Sequence, residues 1–308
     1  MRKIIGIGET ILDILFRNGQ PQAAVAGGSV FNGFVSLGRL GLPLAFISEL
    51  GNDKVGGMIR AFMEENHIPT DYVDCFPDGK SPISLAFMDD EGNAAYQFYK
   101  DYPSQRLEMP FPRIEADDIL IYGSYYALNP ALRERTVELL DYAKERKAIL
   151  YYDPNFRDAH LPEVLKIRPA FLENLEYADI VRGSEEDFFN LFQSRDAEAI
   201  YKNEIQFYCP RLLITKGAGG VELFTEHRHE HFDARAIKPV STIGAGDNFN
   251  AGLLYGLLKY EVTGEELPVL PLETWEKIVN CGIDLATEAC RSEGNYISKD
   301  FAAAYRSK

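Results

Sequence analysis

The sequence predicts an α/β protein in which a mostly parallel β-sheet is flanked by helices, in a single domain over residues 1–308. Three observations predict it. Short apolar runs alternate with longer stretches whose apolar residues recur at helical spacing. The first apolar run ends in glycine, as a buried parallel strand does where its carboxyl end opens into a loop. The chain of 308 residues, 46% hydrophobic and 26% charged, is long enough and apolar enough to bury a large core, and no repeat, low-complexity tract or linker divides it.

Each element follows in order. Residues 3–8 (KIIGIG) read as the first strand. Residues 27–41 (GGSVFNGFVSLGRLG) start on glycines, place Phe31, Val35, Leu37 and Leu40 near helical spacing, and offer Gly41 as a stop. A strand at 44–48 (LAFIS) leads through Gly51-Asn52-Asp53 into a helix at about 54–65, apolar on Ile59, Phe62 and Met63. Residues 83–102 break this rhythm, because two apolar runs flank Asp89-Asp90-Glu91-Gly92-Asn93. That pattern is a β-hairpin, expected to stand apart as a small satellite sheet. Alternation returns with strands at 119–122, 148–152 and 179–182 and helices near 130–146 and 162–175. Strands at 211–215 and around 220–237 then precede helices at about 246–260 and 272–290.

Charge excludes some functions. Acidic residues number 47 against 32 basic ones, a net charge of −15, and this field repels polyanions, so nucleic acid is not an expected partner. A small anion such as a nucleotide is allowed where amides, a metal or one or two basic residues reverse the local sign. Glu9 and Asp13 interrupt the apolar stretch after Met1-Arg2-Lys3, so neither a signal peptide nor a membrane span is expected. Cys75, Cys209, Cys281 and Cys290 lack CxxC spacing and read as free thiols in a reducing cytoplasm. His227, His229 and His231 would share one face of a strand, which permits a metal site, although the surroundings read as an exposed hairpin. Gly6-x-Gly8 lacks the third glycine of a dinucleotide fingerprint.

The stretch Ser241-Thr242-Ile243-Gly244-Ala245-Gly246-Asp247 runs into a helix. With so little side-chain bulk at Gly244, Ala245 and Gly246, unpaired N–H groups at the helix start can approach an anion closely. Asp247 in the first turn could then take a proton from an attacking hydroxyl, or it could simply cap the helix. Asp153-Pro154-Asn155-Phe156-Arg157 follows an apolar strand, at a carboxyl end where ligands gather. There Arg157 could touch phosphate, or the segment could form a salt bridge or an Asx-turn.

Gly244-Ala245-Gly246-Asp247 after Thr242, with Gly27-Gly28 and Asn32 near the other end of the chain, resembles the two signatures of the ribokinase-like, or phosphofructokinase-B, carbohydrate kinases. The resemblance covers essentially the whole chain, since Asp13, Gly51-x-Asp53-x-x-Gly56, Asp153-x-Asn155-x-Arg157 and Thr215-Lys216-Gly217 also fall where such kinases have motifs. It implies a ribokinase-like three-layer fold with a small β-sheet lid, built from segments at about 10–26 and 83–102, and an ATP-dependent sugar kinase. Asp247 would be the catalytic base, and Gly244, Ala245 and Gly246 the anion hole. Asp13 and Asn32 would hold sugar hydroxyls, Gly27 and Gly28 would let the sugar approach the backbone, and Asn155 and Arg157 would line the same crevice. Tyr96 and Phe98 would face the sugar or pack within the lid. Thr215, Lys216, Gly217 and Thr242 would border the nucleotide.

The chain departs from the family pattern in two places. Ser184-Glu185-Glu186-Asp187 stands for an asparagine-to-glutamate motif that organises Mg²⁺, leaving Glu186 or Asp187 to serve, unless the three carboxylates are simply the acidic start of a solvated helix. Ser241 replaces an aspartate beside which relatives bind a monovalent cation, so potassium activation stays open. Pairing of lids between subunits in the family implies a homodimer. The segment FMDDEGNAAYQFYKDY resembles the lid of fructokinases, which favours a fructose-like free sugar. A nucleoside kinase remains an alternative, as does a 2-keto-3-deoxygluconate kinase in which Lys100, Arg106 and Arg157 gather on the acid. A catalytically silent sugar-binding protein is a further one, against which the complete GAGD argues.

Overall fold

A computed structural model describes residues 2–88 and 94–307 of the chain. Its strands are β1 (Ile4–Ile7), β2 (Ile11–Arg17), β3 (Gln20–Gly27), β4 (Leu44–Gly51), β5 (Val73–Phe76), β6 (Lys80–Met88), β7 (Ala94–Asp101), β8 (Ile119–Gly123), β9 (Ile149–Asp153), β10 (Ile180–Ser184), β11 (Leu212–Thr215), β12 (Val221–Phe224) and β13 (His229–Phe232). Its helices are α1 (Ser29–Arg39), α2 (Lys54–Glu65), α3 (Arg133–Glu145), α4 (Val164–Tyr177), α5 (Glu185–Phe192), α6 (Ala197–Ile200), α7 (Ala245–Lys259), α8 (Leu272–Ala289) and α9 (Lys299–Arg306).

Among the described residues the large sheet runs β13-β12-β11-β10-β9-β8-β1-β4-β5, parallel from β11 to β5 and antiparallel at β12 and β13. Strand residues alternate between its two faces. Ile4, Phe46, Ile121 and Tyr151 join a core with α1, α7 and α8. Ile5, Ile47, Tyr122 and Tyr152 join a second core with α3 and α4. Phe31 and Phe34 of α1 sit 5.8 and 4.9 Å from the Phe46 ring. Each such buried ring contributes about 1.5–3 kcal/mol, so the glycine-started α1 is held by packing on its phenylalanines.

The parallel strands deliver Glu9, Gly51, Gly123, Asp153, Ser184 and Thr215 to one edge. A second sheet, β3-β2-β6-β7, stands at that edge. It is assembled from the hairpin after β1 and the hairpin after β5, with β2 and β6 parallel. The Asp53 carboxylate joins the two sheets: it caps α2 by accepting from Gly56 N (2.8 Å) and also accepts from Ser81 N (2.9 Å) and Ser81 Oγ (2.8 Å) of β6. Asp53 in the Gly51-x-Asp53-x-x-Gly56 motif therefore acts as a structural clasp.

The expected turn at Asp89 to Asn93 lies outside the described residues. The strand expected around 220–237 divides into β12 and β13 with His227 in the bend between them, so the three histidines do not share a strand. β5, α6 and α9 were not anticipated, because each is short and carries too few apolar residues for a period to register, and of α5 only an acidic start was read. Among the described residues no helix is long and apolar enough to cross a membrane.

Candidate active site

Gly244 precedes α7 with φ +78°, the left-handed region that glycine enters without strain, and a Cβ there would lie 2.5 Å from Asn295 O. This turn directs the helix start into the edge of the large sheet. Ala245 N folds back onto Thr242 O (3.2 Å) and Asn248 N onto Gly244 O (2.9 Å). Among the described residues the N–H groups of Gly244, Gly246 and Asp247 have no such partner, leaving three donors at the positive end of a fifteen-residue helix. Ala245, expected in the same anion hole, spends its amide on the turn.

Asp247 is buried, and Asn32 Nδ2 of α1 donates to its Oδ2 at 2.8 Å. Burial pushes the Asp247 carboxyl up to about 6, Asn32, Arg157 and Arg182 pull it down, and Asp153 pushes it further up. Helices α1 and α7 are close enough for this bond because Gly33 lies against Asp247 O, where a Cβ would come within 2.9 Å.

A buried polar frame lies directly under this helix start. Arg182 Nη1 donates to Asp153 Oδ2 at 2.9 Å and Nη2 to Thr215 Oγ1 at 2.5 Å, tying β9, β10 and β11 together. Asn250 of α7 donates to the same Asp153 oxygen at 2.5 Å. A Cβ on Gly246 would sit 3.0 Å from both Arg182 Nη atoms, so the guanidinium underlies the anion hole. Asp153 Oδ1 accepts Asn155 N at 3.0 Å, an Asx-turn that places Asn155 at φ +39°. The salt bridge of this motif runs from Asp153 to Arg182, while Arg157 is exposed and carries no hydrogen bond or ion pair among the described residues. Sequence reasoning missed Arg182, though a lone arginine in the apolar run IVRGS was a signal, since a charge there must be buried and paired.

The second part of the crevice belongs to the small sheet. Asp13 of β2 lies in register with Ser84 of β6, which lies opposite Phe98 of β7, so the three share one sheet face. Ser84 Oγ donates to Asp13 Oδ1. Burial raises the Asp13 carboxyl, Ser84 opposes the rise and nearby Glu9 adds to it. Asp13 Oδ2 lies 2.8 Å from where a Gly27 Cβ would be, and Gly28, at φ +139°, would drive a Cβ to 2.2 Å from Glu9 O. Phe98 is half exposed, and the backbone of Tyr96 pairs with Ala86. Asn295, whose chain carries no regular pattern and was not anticipated, spans both parts: its Nδ2 is near Gly27, and its O accepts Asn248 Nδ2 at 2.8 Å.

Other expected residues are placed as follows. Asp187 Oδ2 accepts from Ser184 N (2.7 Å) and Oγ (2.6 Å) in a capping box at the start of α5, and burial with the Asp153 charge raises its carboxyl. Glu186 is exposed. Lys216 Nζ pairs with Glu222 at 3.1 Å, and Glu222 also takes His229 Nε2 (2.8 Å) and His231 Nδ1 (3.2 Å). Among the described residues no group of three His, Cys, Asp or Glu side chains could hold a metal ion. Lys100, Arg106 and Arg157 do not converge freely, because Lys100 pairs with Glu9 (2.8 Å) and Arg106 Nε with Glu49 (2.9 Å).

Residues 3–301 match the family described as pfkB family carbohydrate kinase. The chain is 29% identical over 265 residues to a fructokinase of Rhizobium leguminosarum bv. trifolii, covering 82% of this chain and 79% of that one. It is also 29% identical to a probable chloroplastic fructokinase-6 of Arabidopsis thaliana, over 74% of this chain but 61% of that protein's length. Among solved structures, a Vibrio cholerae O395 fructokinase with fructose, ADP and calcium ion bound superposes with a TM-score of 0.84 at 22% identity, over 99% of both chains. The two-sheet architecture is thus the ribokinase-like α/β fold.

Proposed function

Because the chain belongs to the pfkB family of carbohydrate kinases, enzymes that move a phosphoryl group onto an alcohol, we propose that it transfers the γ-phosphate of ATP to a primary hydroxyl of a free, fructose-like sugar. The observation that carries this reading is the pairing of Asp247 with the unpartnered amides of Gly244, Gly246 and Asp247 itself. A base beside an anion hole is what in-line phosphoryl transfer to a hydroxyl requires.

In this mechanism the sugar lies over Gly27 and Gly28, with Asp13 and Asn32 accepting and donating to its hydroxyls under a lid formed by β2, β3, β6 and β7. Asp247, poised near neutrality and oriented by Asn32, takes the proton as the hydroxyl attacks. The free amides at the start of α7, with Arg182 beneath Gly246, receive the negative charge that builds on the transferring group. Thr215, Lys216, Gly217 and Thr242 would border the nucleotide, and Arg157, without a partner among the described residues and close enough to act on Asp247, would meet phosphate. Mg²⁺ fits a site of this kind. Asp187 is a buried carboxylate with one oxygen committed to Ser184, leaving the other for a cation held mainly by water and phosphates. The ion would neutralise phosphate charge.

A neutral sugar is favoured because, among the described residues, no cation acts on Asp13, while carboxylates occupy Lys100 and Arg106. Relatives and structural neighbours named as fructokinases support fructose. A structural neighbour that is an aminoimidazole riboside kinase from Salmonella enterica makes a riboside the second reading, and the exposed Phe98 ring could stack on its base. Measuring kcat/KM with MgATP for fructose, ribose, 2-keto-3-deoxygluconate, fructose 1-phosphate and adenosine tests the assignment. Fructose is expected to lead, and preference for the sugar acid, the sugar phosphate or the nucleoside overturns the free-sugar reading.

A further inference from the structure

Phe98 and Lys100 stand two apart on β7 and so share a face. By strand register that face is the one carrying Asp13 and Ser84. Lys100 therefore stands on the substrate side of the small sheet. Its ammonium is held by the Glu9 carboxylate at 2.8 Å, and Tyr102 OH donates to Glu9 at 2.6 Å. Glu9 in turn is part of the crevice: its carbonyl abuts Gly28, and its charge reaches Asp13. One step behind, Arg106 lies over the Tyr102 ring at 3.7 Å and pairs with buried Glu49. On the small-sheet side the mouth thus holds two cations, each cancelled by a carboxylate within the protein, while Arg157, exposed and without an ion pair among the described residues, lies near Asp247. The two pairs differ in kind, since Arg106 with Glu49 is buried and structural, whereas Lys100 with Glu9 is half exposed and open to exchange of partners.

We propose that Glu9 is a specificity-determining residue: by holding Lys100 it withdraws the ammonium that β7 carries on the substrate face, so the site selects neutral sugars and rejects sugar acids. An acidic sugar entering this mouth meets Asp13 and Glu9 and finds no free ammonium on β7. Its carboxylate must displace Glu9 from Lys100, and that exchange gains nothing while it leaves the Glu9 charge with the Tyr102 hydroxyl in place of an ammonium. A neutral sugar pays no such penalty.

The inference rests on the free-sugar reading, and the experiment separates the two. The readout is the ratio of kcat/KM for 2-keto-3-deoxygluconate to that for fructose, backed by the Ki of the sugar acid against fructose where turnover is too slow to follow. In Glu9→Gln the amide still accepts from Tyr102 but no longer neutralises Lys100, and the ratio is expected to rise about tenfold, the worth of one new charge-assisted contact. Lys100→Met leaves Glu9 uncompensated at the mouth and is expected to move the ratio the other way. In Glu9→Gln/Lys100→Met the gain of the first variant is expected to disappear. An unchanged ratio in Glu9→Gln, or equal shifts in both single variants, overturns the role of Glu9. A wild-type preference for the sugar acid overturns the free-sugar reading itself. Should Glu9→Gln not fold, the downward shift in Lys100→Met decides the proposal alone.

Discussion

Asp247 and Asp13 are two carboxylates that burial raises, and the difference between their surroundings separates two tasks. Asp247 begins a long helix, accepts from Asn32, and is faced by Arg157 and Arg182 as well as by Asp153. The opposing charges hold it near 6, where it is ionised at neutral pH and still basic enough to take a proton. Asp13 lies on a strand of the small sheet with Ser84 as its donor and the negative Glu9 nearby. Among the described residues nothing there stabilises negative charge beyond one hydroxyl, which under the proposed function suits Asp13 to gripping neutral hydroxyl groups. Burial alone therefore does not make a base; a base also needs cations that let it lose its proton again.

Substituting each carboxylate by its amide breaks the comparison most directly. Asp247→Asn keeps the shape and the bond to Asn32 but removes the proton acceptor, so kcat is expected to fall about a hundredfold or more with little change in the KM for MgATP. Retained turnover would take Asp247 out of the chemistry. Gly246→Val tests the anion hole beside it. The added side chain must displace an Arg182 already held by Asp153 and Thr215, and kcat is expected to fall about tenfold to a hundredfold in a protein that still unfolds cooperatively. Unaltered kinetics would place the phosphate elsewhere. Asp13→Asn is expected to act differently, raising the KM for fructose about tenfold with a smaller loss in kcat, because it weakens hydroxyl binding. A pure kcat loss there would give Asp13 a share of the proton transfer and erase the distinction.

The helix half of the site was the more legible in the sequence. Gly244, Gly246 and Asp247 lie within one stretch of four residues, and local rules for helix starts point to an anion and an acid there without any tertiary knowledge. Asn32 and Gly27-Gly28 were found through the motif, but the bond from Asn32 to Asp247 joins opposite ends of the chain and cannot be read from spacing. Arg182, Ser84 and Asn295 escaped because their importance arises from register and chain crossing: β10 beside β9 and β11, β6 beside β2, and an irregular segment laid against α7. The lid hairpin was legible in its alternation, yet the pairing of Lys100 with Glu9 was not, since a lysine on an edge strand ordinarily faces solvent. Asp187 had two readings, a metal ligand and an acidic helix start. The capping box accounts for one of its oxygens, so the second reading holds in part whatever the first becomes.

The smallest effect expected is the one that most sharply tests what distinguishes Asp247 from Asp13. With MgATP saturating and fructose limiting, the rate is expected to fall about tenfold per pH unit below about 6, because protonated Asp247 cannot act as the base. Among the described residues Arg157 has no hydrogen-bond or ion-pair partner, and its charge acts on Asp247 to favour the carboxylate and keep this limb low. Arg157→Gln removes that charge. The protonated form then gains, the proton affinity of Asp247 rises, and the acidic limb is expected to move to higher pH. Because Arg157 is exposed and its field is screened by solvent, the shift should be about half a unit, and it should shrink as salt is added. A limb that stays in place, or moves to lower pH, would show that Arg157 does not act on the base, leaving the buried Arg182 and the amide of Asn32 to hold Asp247 ionised.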